Sequence, residues 1–506
     1  MKNIFTYSLI ACLMIMHTAC DENFDELNTN KTSATKIDPV FILNTAIQNS
    51  SLQALIYEEG IVQHVISPNS GVLAGANYNQ DNRPATLANW QGIYRNVIKN
   101  TRDVLAALED TPDRSNLVQM TRIVQAYGFM LLTDSYGDIP YFEGGKGYTE
   151  QLFLPAYDPQ DAIYTDLINE LTEASAALSA GGKVEAADVL YNGNIDKWKK
   201  FGYSLLLRAG MRLSKVDATK AQATAAAAFA GGVILTNADN AFMKHDPNYQ
   251  NPVGGTLNST EAANFYLTEP FVDYLKNTND PRLSAIAVRY VGAKSGPEQT
   301  VESASFDPAM QNGMPMGNDN ASIVAVAANK GLASFYEFSQ VDRRRLAKLA
   351  APYFFVTAGQ TQLLLAEARE RGWINTGTVE EYYNAGITAH MQQLGTVDAA
   401  SAIAPGDIAT YLGANPLVPA TALEQINTQY WIASFLNGPE AFANFRRSGF
   451  PDLAPNPYPG SEVPGAFIRR LTYPDSEKST NSENLAVAVG RMGADNLATR
   501  VWWDKP

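Results

Sequence analysis

From residue 39 onward, apolar positions recur three and four apart along most of the chain. Val40, Leu43, Ala46 and Ile47 share one face of a predicted helix, with Asp38 as its N-cap and Pro39 at its first position. The same spacing predicts helices through Trp90, Ile93, Tyr94, Val97 and Ile98, and through Ile123, Ala126, Tyr127, Met130 and Leu131. Ile163, Leu167, Leu171, Ala174 and Leu178 mark another, and Trp198, Phe201, Leu205 and Ala209 the next, after a Gly/Asn break. A further pair covers Leu363–Arg371 and Tyr382–Leu394, and Thr378 with Glu381 forms a capping box at the start of its second member. Short turns between helices, and small residues such as Ala209, Ala366, Ala368 and Ala385 where helices must approach, predict tetratricopeptide-like pairs. No clean repeat of about 34 residues can be laid over the chain.

Two stretches break the pattern. Between Gly231 and Leu346, and again after Gly449, Asn, Gly, Pro and Asp dominate. The apolar runs there are short, as in Ser284–Tyr290 and Ser322–Ala328, and are read as long loops and short strands. The expected organisation is a single domain over 38–506. A helical scaffold at about 38–231 and 350–449 carries a loop-rich lobe at about 232–349 and 450–506. Irregular segments of this length on a rigid scaffold tend to be functional surfaces.

The first residues have a different texture. A basic head, Met1-Lys2-Asn3, precedes an apolar run from Ile4 to Met16, the layout of a secretory signal over residues 1–19. The run is shorter than the roughly 20 residues a membrane-spanning helix needs. It ends in His17-Thr18-Ala19-Cys20, which resembles a bacterial lipobox with His17 where Leu is usual, and predicts lipid attachment to Cys20. Cys12, after Leu9-Ile10-Ala11, matches better locally but has too short an apolar core before it. Residues 20–37 are read as a flexible tether. In it, Asp21, Asn23 and Asp25 mimic the start of a calcium loop, but Glu26 and Thr32 stand where that loop needs Gly and Glu. Cleavage before Cys20 leaves no second cysteine, so no disulfide is expected. A formal charge of −14 argues against nucleic acid and against an anionic membrane surface.

Catalytic motifs are missing where they would be recognisable. There is no Gly-x-Ser-x-Gly elbow, phosphate loop or His-Glu-x-x-His, and Gly145-x-Gly147-x-x-Glu150 misses a dinucleotide fingerprint at its last position. After signal removal only His64, His245 and His390 remain, scattered in sequence, so neither a metal site nor a Ser-His-Asp triad is expected, and no cofactor is implied. With 52 Asp and Glu residues, a carboxylate pair flanking a glycosidic bond stays open as an alternative. Aromatic rings in polar loops are the other signal. Tyr249 precedes Gln250-Asn251-Pro252, and Tyr78 lies between Asn77 and Asn79. A ring flanked by amides can stack on a sugar while the amides bond its hydroxyls. Tyr78 lacks the spacing of apolar neighbours that marks core. The loop Pro68–Asp81 is therefore the candidate ligand site, with Tyr78 as platform and Asn69, Asn77, Asn79 and Asp81 as hydrogen-bonding groups.

Several longer motifs, in order over nearly all the mature chain, point to a family. SYGDIPYFEG (Ser135–Gly144), KWKKFGYSLLLRAGMRL (Lys197–Leu213), LLLAEARERGW (Leu363–Trp373) and EYYNAGI (Glu381–Ile387) are four of them. PEAFANFRRSGFPDL (Pro439–Leu453), RRLTYPDSE (Arg469–Glu477) and VWWD (Val501–Asp504) complete the set. Together they resemble signatures of the SusD/RagB nutrient-binding lipoproteins, in the SusD-like branch rather than the starch-binding founder. The resemblance implies a mainly α, tetratricopeptide-like scaffold and no catalytic residues. It also implies a lipoprotein on the outer surface of Bacteroidetes-type bacteria, sitting as a lid on a SusC-like TonB-dependent transporter and capturing an oligomeric nutrient, commonly a glycan, for import. Ligand residues of that family lie in variable loops, and no motif transfers them to positions here. The motif residues themselves read as scaffold: Gly137-Asp138-Ile139-Pro140 stops a helix, Arg446 and Arg447 tie loops together, and Trp502 and Trp503 dock the tail. Asn318-Asp319-Asn320 is the one cluster reminiscent of a loop calcium site. Besides the glycosidase, a helical scaffold that binds only peptides is the remaining alternative.

Overall fold

Long helices dominate the computed structural model, which describes residues 37–506; Cys12, Cys20 and the tether up to Lys36 lie outside the described residues. The first half contributes α1 (Pro39–Gln48), α2 (Arg83–Ile93), α3 (Lys99–Ala107), α4 (Ser115–Tyr136), α5 (Gln160–Ala177), α6 (Ile195–Arg212) and α7 (Ala218–Gly231). The second contributes α8 (Ala358–Glu370), α9 (Val379–Val397), α10 (Ala422–Ala433) and α11 (Gly438–Ser448). Local chemistry starts and stops them. Asn194 and Asp217 accept hydrogen bonds from backbone N–H groups in the first turns of α6 and α7, and Thr357 and Thr378 form full capping boxes with Gln360 and Glu381. Gly137 ends α4, its N–H donating to the Thr133 carbonyl at 2.8 Å.

Neighbours along the chain pack together: α3 on α4, α4 on α5, α5 on α6, α6 on α7, and α8 on both α9 and α10. This is the mainly helical, tetratricopeptide-like pairing expected of the sequence. The apolar stripes read from spacing are buried, among them Leu43, Ile123, Leu167, Leu171, Leu205 and Ala209. Burying each large aliphatic side chain contributes about 1.5–3 kcal/mol, so these stripes are the chief driving force for pairing. Where α8 meets α9 the close contact is made by Gly386 rather than its neighbour Ala385. A Cβ on Gly386 would lie 2.7 Å from Leu363 Cγ, and Ala385 is only half-buried.

The described residues also form three small antiparallel sheets. β1 (Val65–Ile66) pairs with β3 (Tyr266–Leu267), β2 (Ala241–Met243) with β7 (Tyr353–Val356), and β4 (Ala287–Tyr290) with both β5 (Ala304–Ser305) and β6 (Gln340–Val341). One of the short apolar runs is helical: Ser322–Asn329 buries only Ile323 and Ala327, and its lead-in turn rather than a strand partner fixes it. The run Ser284–Tyr290 divides into the end of a helix, Arg282–Ile286, and β4.

Charged groups are buried in the scaffold and paired across long sequence distances. Arg447 holds Glu367 through two bonds of 2.6 and 2.7 Å, with Asn427 and Asn444 around them. The Arg447 guanidinium beside it keeps the Glu367 carboxyl at about 2 despite burial. Arg212 bridges Asp134 and Glu440, Arg208 forms a second ion pair with Glu440, and the Trp503 indole donates to Asp134 at 3.1 Å. Trp503 is thus docked in the interior, while Trp502 is half-buried.

Candidate functional site

β1 delivers the chain into residues 67–82, and Asn82 starts α2 by accepting from the Ala85 N–H. The intervening loop does not stand away from the body. Its amides fold it inward: Asn77 donates to the carbonyls of Ser67, Asn69 and Val72 at 3.0–3.2 Å, and Asn77 is fully buried. Asn79, in the left-handed conformation that Asn tolerates, donates to Ser461 Oγ and to the carbonyls of Val463 and Ala466. Tyr78 donates to the Pro68 carbonyl at 2.7 Å, and its ring is 7% exposed.

What covers Tyr78 comes from the far end of the sequence. Tyr458 stacks on it with ring centres 4.2 Å apart and planes 22° from parallel. Asn456 places that tyrosine, donating to the Asn77 carbonyl at 2.9 Å and accepting from the Tyr458 N–H. Gln80 donates to the Gly460 carbonyl, the Asp81 N–H to Glu462, and the Glu462 N–H to the Asn79 carbonyl. A third loop completes the rim. Gly317, at φ +78°, lets residues 315–321 approach so closely that a Cβ there would lie 2.6 Å from Pro457 Cγ. Asp319 is near enough, with burial and Tyr458, to help push the Tyr78 hydroxyl above its ordinary pKa, which keeps it a neutral donor.

The rim formed by these loops presents one half-exposed ring, Tyr458, backed by a second ring that cannot swing away. Beside it lie polar groups with spare capacity. The Asn69 carboxamide accepts from the Gly71 N–H through its oxygen, while its nitrogen has no partner among the described residues. One oxygen of Asp319 accepts from the Ser322 and Ala321 N–H groups and the Ser322 hydroxyl, and the other is free among them. Asp81 is less available: it accepts from Thr472 at 2.8 Å and pairs with Arg83 at 3.3 Å. The arrangement can bind a flat, hydroxyl-bearing ring by stacking and hydrogen bonding.

Over residues 28–474 the sequence matches a family of SusD-like proteins described as starch-binding and associating with the outer membrane. The chain belongs to this SusD-like family. Among solved structures it is similar to a chitin-binding protein at 30% identity, with a TM-score of 0.82 over 93% of this chain and 100% of the other. A chitin-binding SusD homologue from Flavobacterium johnsoniae shares the fold at 24% identity and TM-score 0.75, covering 92% of this chain and 98% of that one. A SusD homologue from Bacteroides uniformis does so at 24% and 0.74, covering 92% and 99%. Comparison with curated protein sequences finds no match. SusD-like proteins are binding proteins, and this chain is one rather than an enzyme.

The remaining candidates of the SusD-like sequence are engaged locally. His64 bonds Glu59 at 2.7 Å; His245 stacks on Tyr249, and burial pushes its pKa down. His390 is buried against Arg282, and burial with that charge holds it well below the usual imidazole range. Tyr249 donates to the Gln48 carbonyl, and Asn251 starts a short helix. In Asn318-Asp319-Asn320, Asn318 donates to the Pro315 and Met316 carbonyls and Asp319 holds the turn into Ser322–Asn329, so the cluster is a helix lead-in. Of the five residues named from sequence, three carry out other work: Asn77 and Asn79 brace the loop, and Tyr78 lies beneath a second ring instead of facing outward. Tyr458 was missed. Its signal was the same as that of Tyr78, a ring in the polar run Pro455-Asn456-Pro457-Tyr458-Pro459-Gly460 with no apolar neighbours at helical spacing.

Proposed function

We propose that this SusD-like protein captures an oligosaccharide at the three-loop rim, with the Tyr78–Tyr458 stack as platform and Asn69 and Asp319 as hydrogen-bonding groups. The observation that carries the reading is the stack itself. Tyr78 is fixed by its bond to the Pro68 carbonyl and backs Tyr458, so little side-chain freedom is lost when a sugar settles on the outer face, which lowers the cost of binding. The family's starch-binding description and the likeness to a chitin-binding protein at 30% identity support a glycan as ligand. Chitin-type oligomers are the first substrates to test.

The same reading places the protein on the outer membrane through lipid on Cys20, facing outward, and hands the cargo to a SusC-like TonB-dependent transporter. A binding protein without catalysis needs a channel if its cargo is to enter the cell. Two acyl chains, each buried methylene contributing about 0.8 kcal/mol, suffice for stable anchoring. Cys20→Ala should leave the outer-membrane fraction. Retention there with continued fatty-acid labelling would move the anchor elsewhere, Cys12 first. A tagged form should elute with a large barrel protein in mild detergent, and elution alone would count against the transporter.

For the ligand, calorimetry with chitohexaose and maltohexaose should show binding that Tyr458→Ala weakens about tenfold. Unchanged affinity in that variant removes the rim from the site.

A further inference from the structure

A second aromatic surface lies where α2 runs on into α3. Between them Tyr94–Ile98 forms a π-helical turn, an insertion that re-aims side chains and is frequent at functional sites. It turns Tyr94 and Arg95 toward a groove of about 550 Å³ walled by the loop 144–155 and by Glu477, Thr480 and Asn481. None of these residues belongs to the three-loop rim. Gly144 lets the loop close down: a Cβ there would lie 2.2 Å from the Pro140 carbonyl oxygen and 3.1 Å from the Tyr94 ring. The glycine run that fails as a dinucleotide fingerprint is thus one wall of this groove.

The floor is rigid. Trp90 packs on Tyr94 at 4.9 Å, Tyr136 at 5.0 Å, Tyr473 at 6.0 Å and Tyr157 at 6.2 Å, and Tyr94 is pinned by donating to the Pro140 carbonyl at 2.7 Å. Over this floor Phe153 is 77% exposed, although it lies along the groove beside Gly147. Apolar rings left in water next to a preformed cleft mark a binding surface more than a packing residue does.

The polar groups around the rings are unspent in a complementary way. Arg95 is exposed and bonds no described residue, so its guanidinium donors are free. Glu477 accepts from the Tyr157 hydroxyl at 2.9 Å through one oxygen, leaving the other without a partner among the described residues. One free donor and one free acceptor flanking aromatic faces suit vicinal hydroxyls on a ring with an apolar face. Arg95 and Glu477 offset one another in charge, which suits a neutral sugar.

We propose that this groove is a second saccharide site, taking a neutral hexose or N-acetylhexosamine unit of an oligosaccharide between Tyr94 and Phe153, with Arg95 and Glu477 on its hydroxyls. The proposal rests on the reading of the protein as a glycan binder, and the test separates the two sites. Calorimetry of the full-length protein in detergent, with chitohexaose and maltohexaose in turn, should resolve two classes of site for at least one sugar. Phe153→Ala and Arg95→Ala, both exposed and so without effect on helical circular dichroism, should weaken one class about tenfold and leave the other. Tyr458→Ala should do the reverse. Binding abolished by Tyr458→Ala and indifferent to Phe153→Ala and Arg95→Ala overturns the groove and keeps the rim. Binding lost in Phe153→Ala but intact in Tyr458→Ala keeps the groove and overturns the rim. Failure of the unmodified protein to bind either sugar overturns both.

Discussion

In the scaffold, segments far apart in sequence are tied by buried charges: Arg447 to Glu367, and Arg212 to Asp134 and Glu440. In the rim, segments still farther apart are tied by neutral amides, Asn79 and Asn456, aimed at backbone carbonyls and a hydroxyl, while Asn77 folds its own loop. The difference is one of what happens on failure. A buried ion pair broken on one side leaves an uncompensated charge, so the scaffold holds its geometry or loses it altogether. An amide removed from the rim strands neutral carbonyls at a cost smaller than that of a stranded charge, so the rim can change by degrees while the scaffold stands. A rigid frame with an adjustable edge is the division of labour a capture protein needs.

The harshest way to break the comparison is Glu367→Ala, which strands Arg447 in the interior. We expect a loss of about 3–5 kcal/mol, read as a large fall in melting temperature. Acid makes the same point. Because the folded carboxyl titrates at about 2 and an unfolded glutamate near 4.5, the stability it contributes is complete above pH 4.5 and drains away as pH falls toward 2. A Glu367→Ala protein as stable as the parent would end the argument that charges set the frame.

Glu58 sharpens it from the other side. Among the described residues no cation bonds this buried glutamate; one oxygen faces Asn89 and Ser135 at 3.4–3.5 Å, and burial pushes its pKa up to about 8 against the pull of Arg446. It is therefore protonated in the folded protein at neutral pH. A raised folded pKa means stability present below pH 4.5 and lost as pH climbs through about 8. Glu58→Gln should remove that slope, gaining on the order of 3 kcal/mol over the parent between pH 5 and 8.5 in denaturant titrations. Parallel pH profiles for the two proteins would show that Glu58 is ionised in the fold.

Asn79→Ala tests the amide brace. It strands the Val463 and Ala466 carbonyls and asks alanine to adopt a left-handed conformation, at a cost of about 2 kcal/mol. Asn79→Gly should recover the backbone share only. Both should loosen Tyr458 and weaken sugar binding while helical circular dichroism stays. The smallest stability effect belongs to Tyr458→Ala, expected within about 1 kcal/mol, with its consequence in affinity instead.

The scaffold was legible because helices announce themselves locally. The stripe through Trp198, Phe201, Leu205 and Ala209, the Thr378–Glu381 box and the stop at Gly137 each need only a few neighbouring residues to be read, and the buried wall they predict is there. The rim was half legible. The loop Pro68–Asp81 was singled out by its ring among amides, but whether Asn77 faces water or carbonyls depends on how the loop closes, and whether Tyr78 is a surface depends on a tyrosine 380 positions later. No local pattern encodes either. The π-helical turn at Tyr94 was hidden for a related reason: the apolar spacing from Trp90 to Ile98 reads as one unbroken helix, and a single inserted residue does not disturb it enough to show.

The brace from Asn79 to Val463 and Ala466 spans more than three quarters of the chain, |i−j| being 384 and 387. Closing so long a loop carries a large entropic cost that can be met only after the intervening helices have condensed. The rim therefore exists only once residues 461–466 have joined the loop at Asn79. A chain still emerging from an export channel, or one clipped before residue 454, would carry the first tyrosine without its cover. Sugar affinity at the rim thus doubles as a report that the polypeptide has been delivered whole, and a chain truncated before residue 454 should lack it.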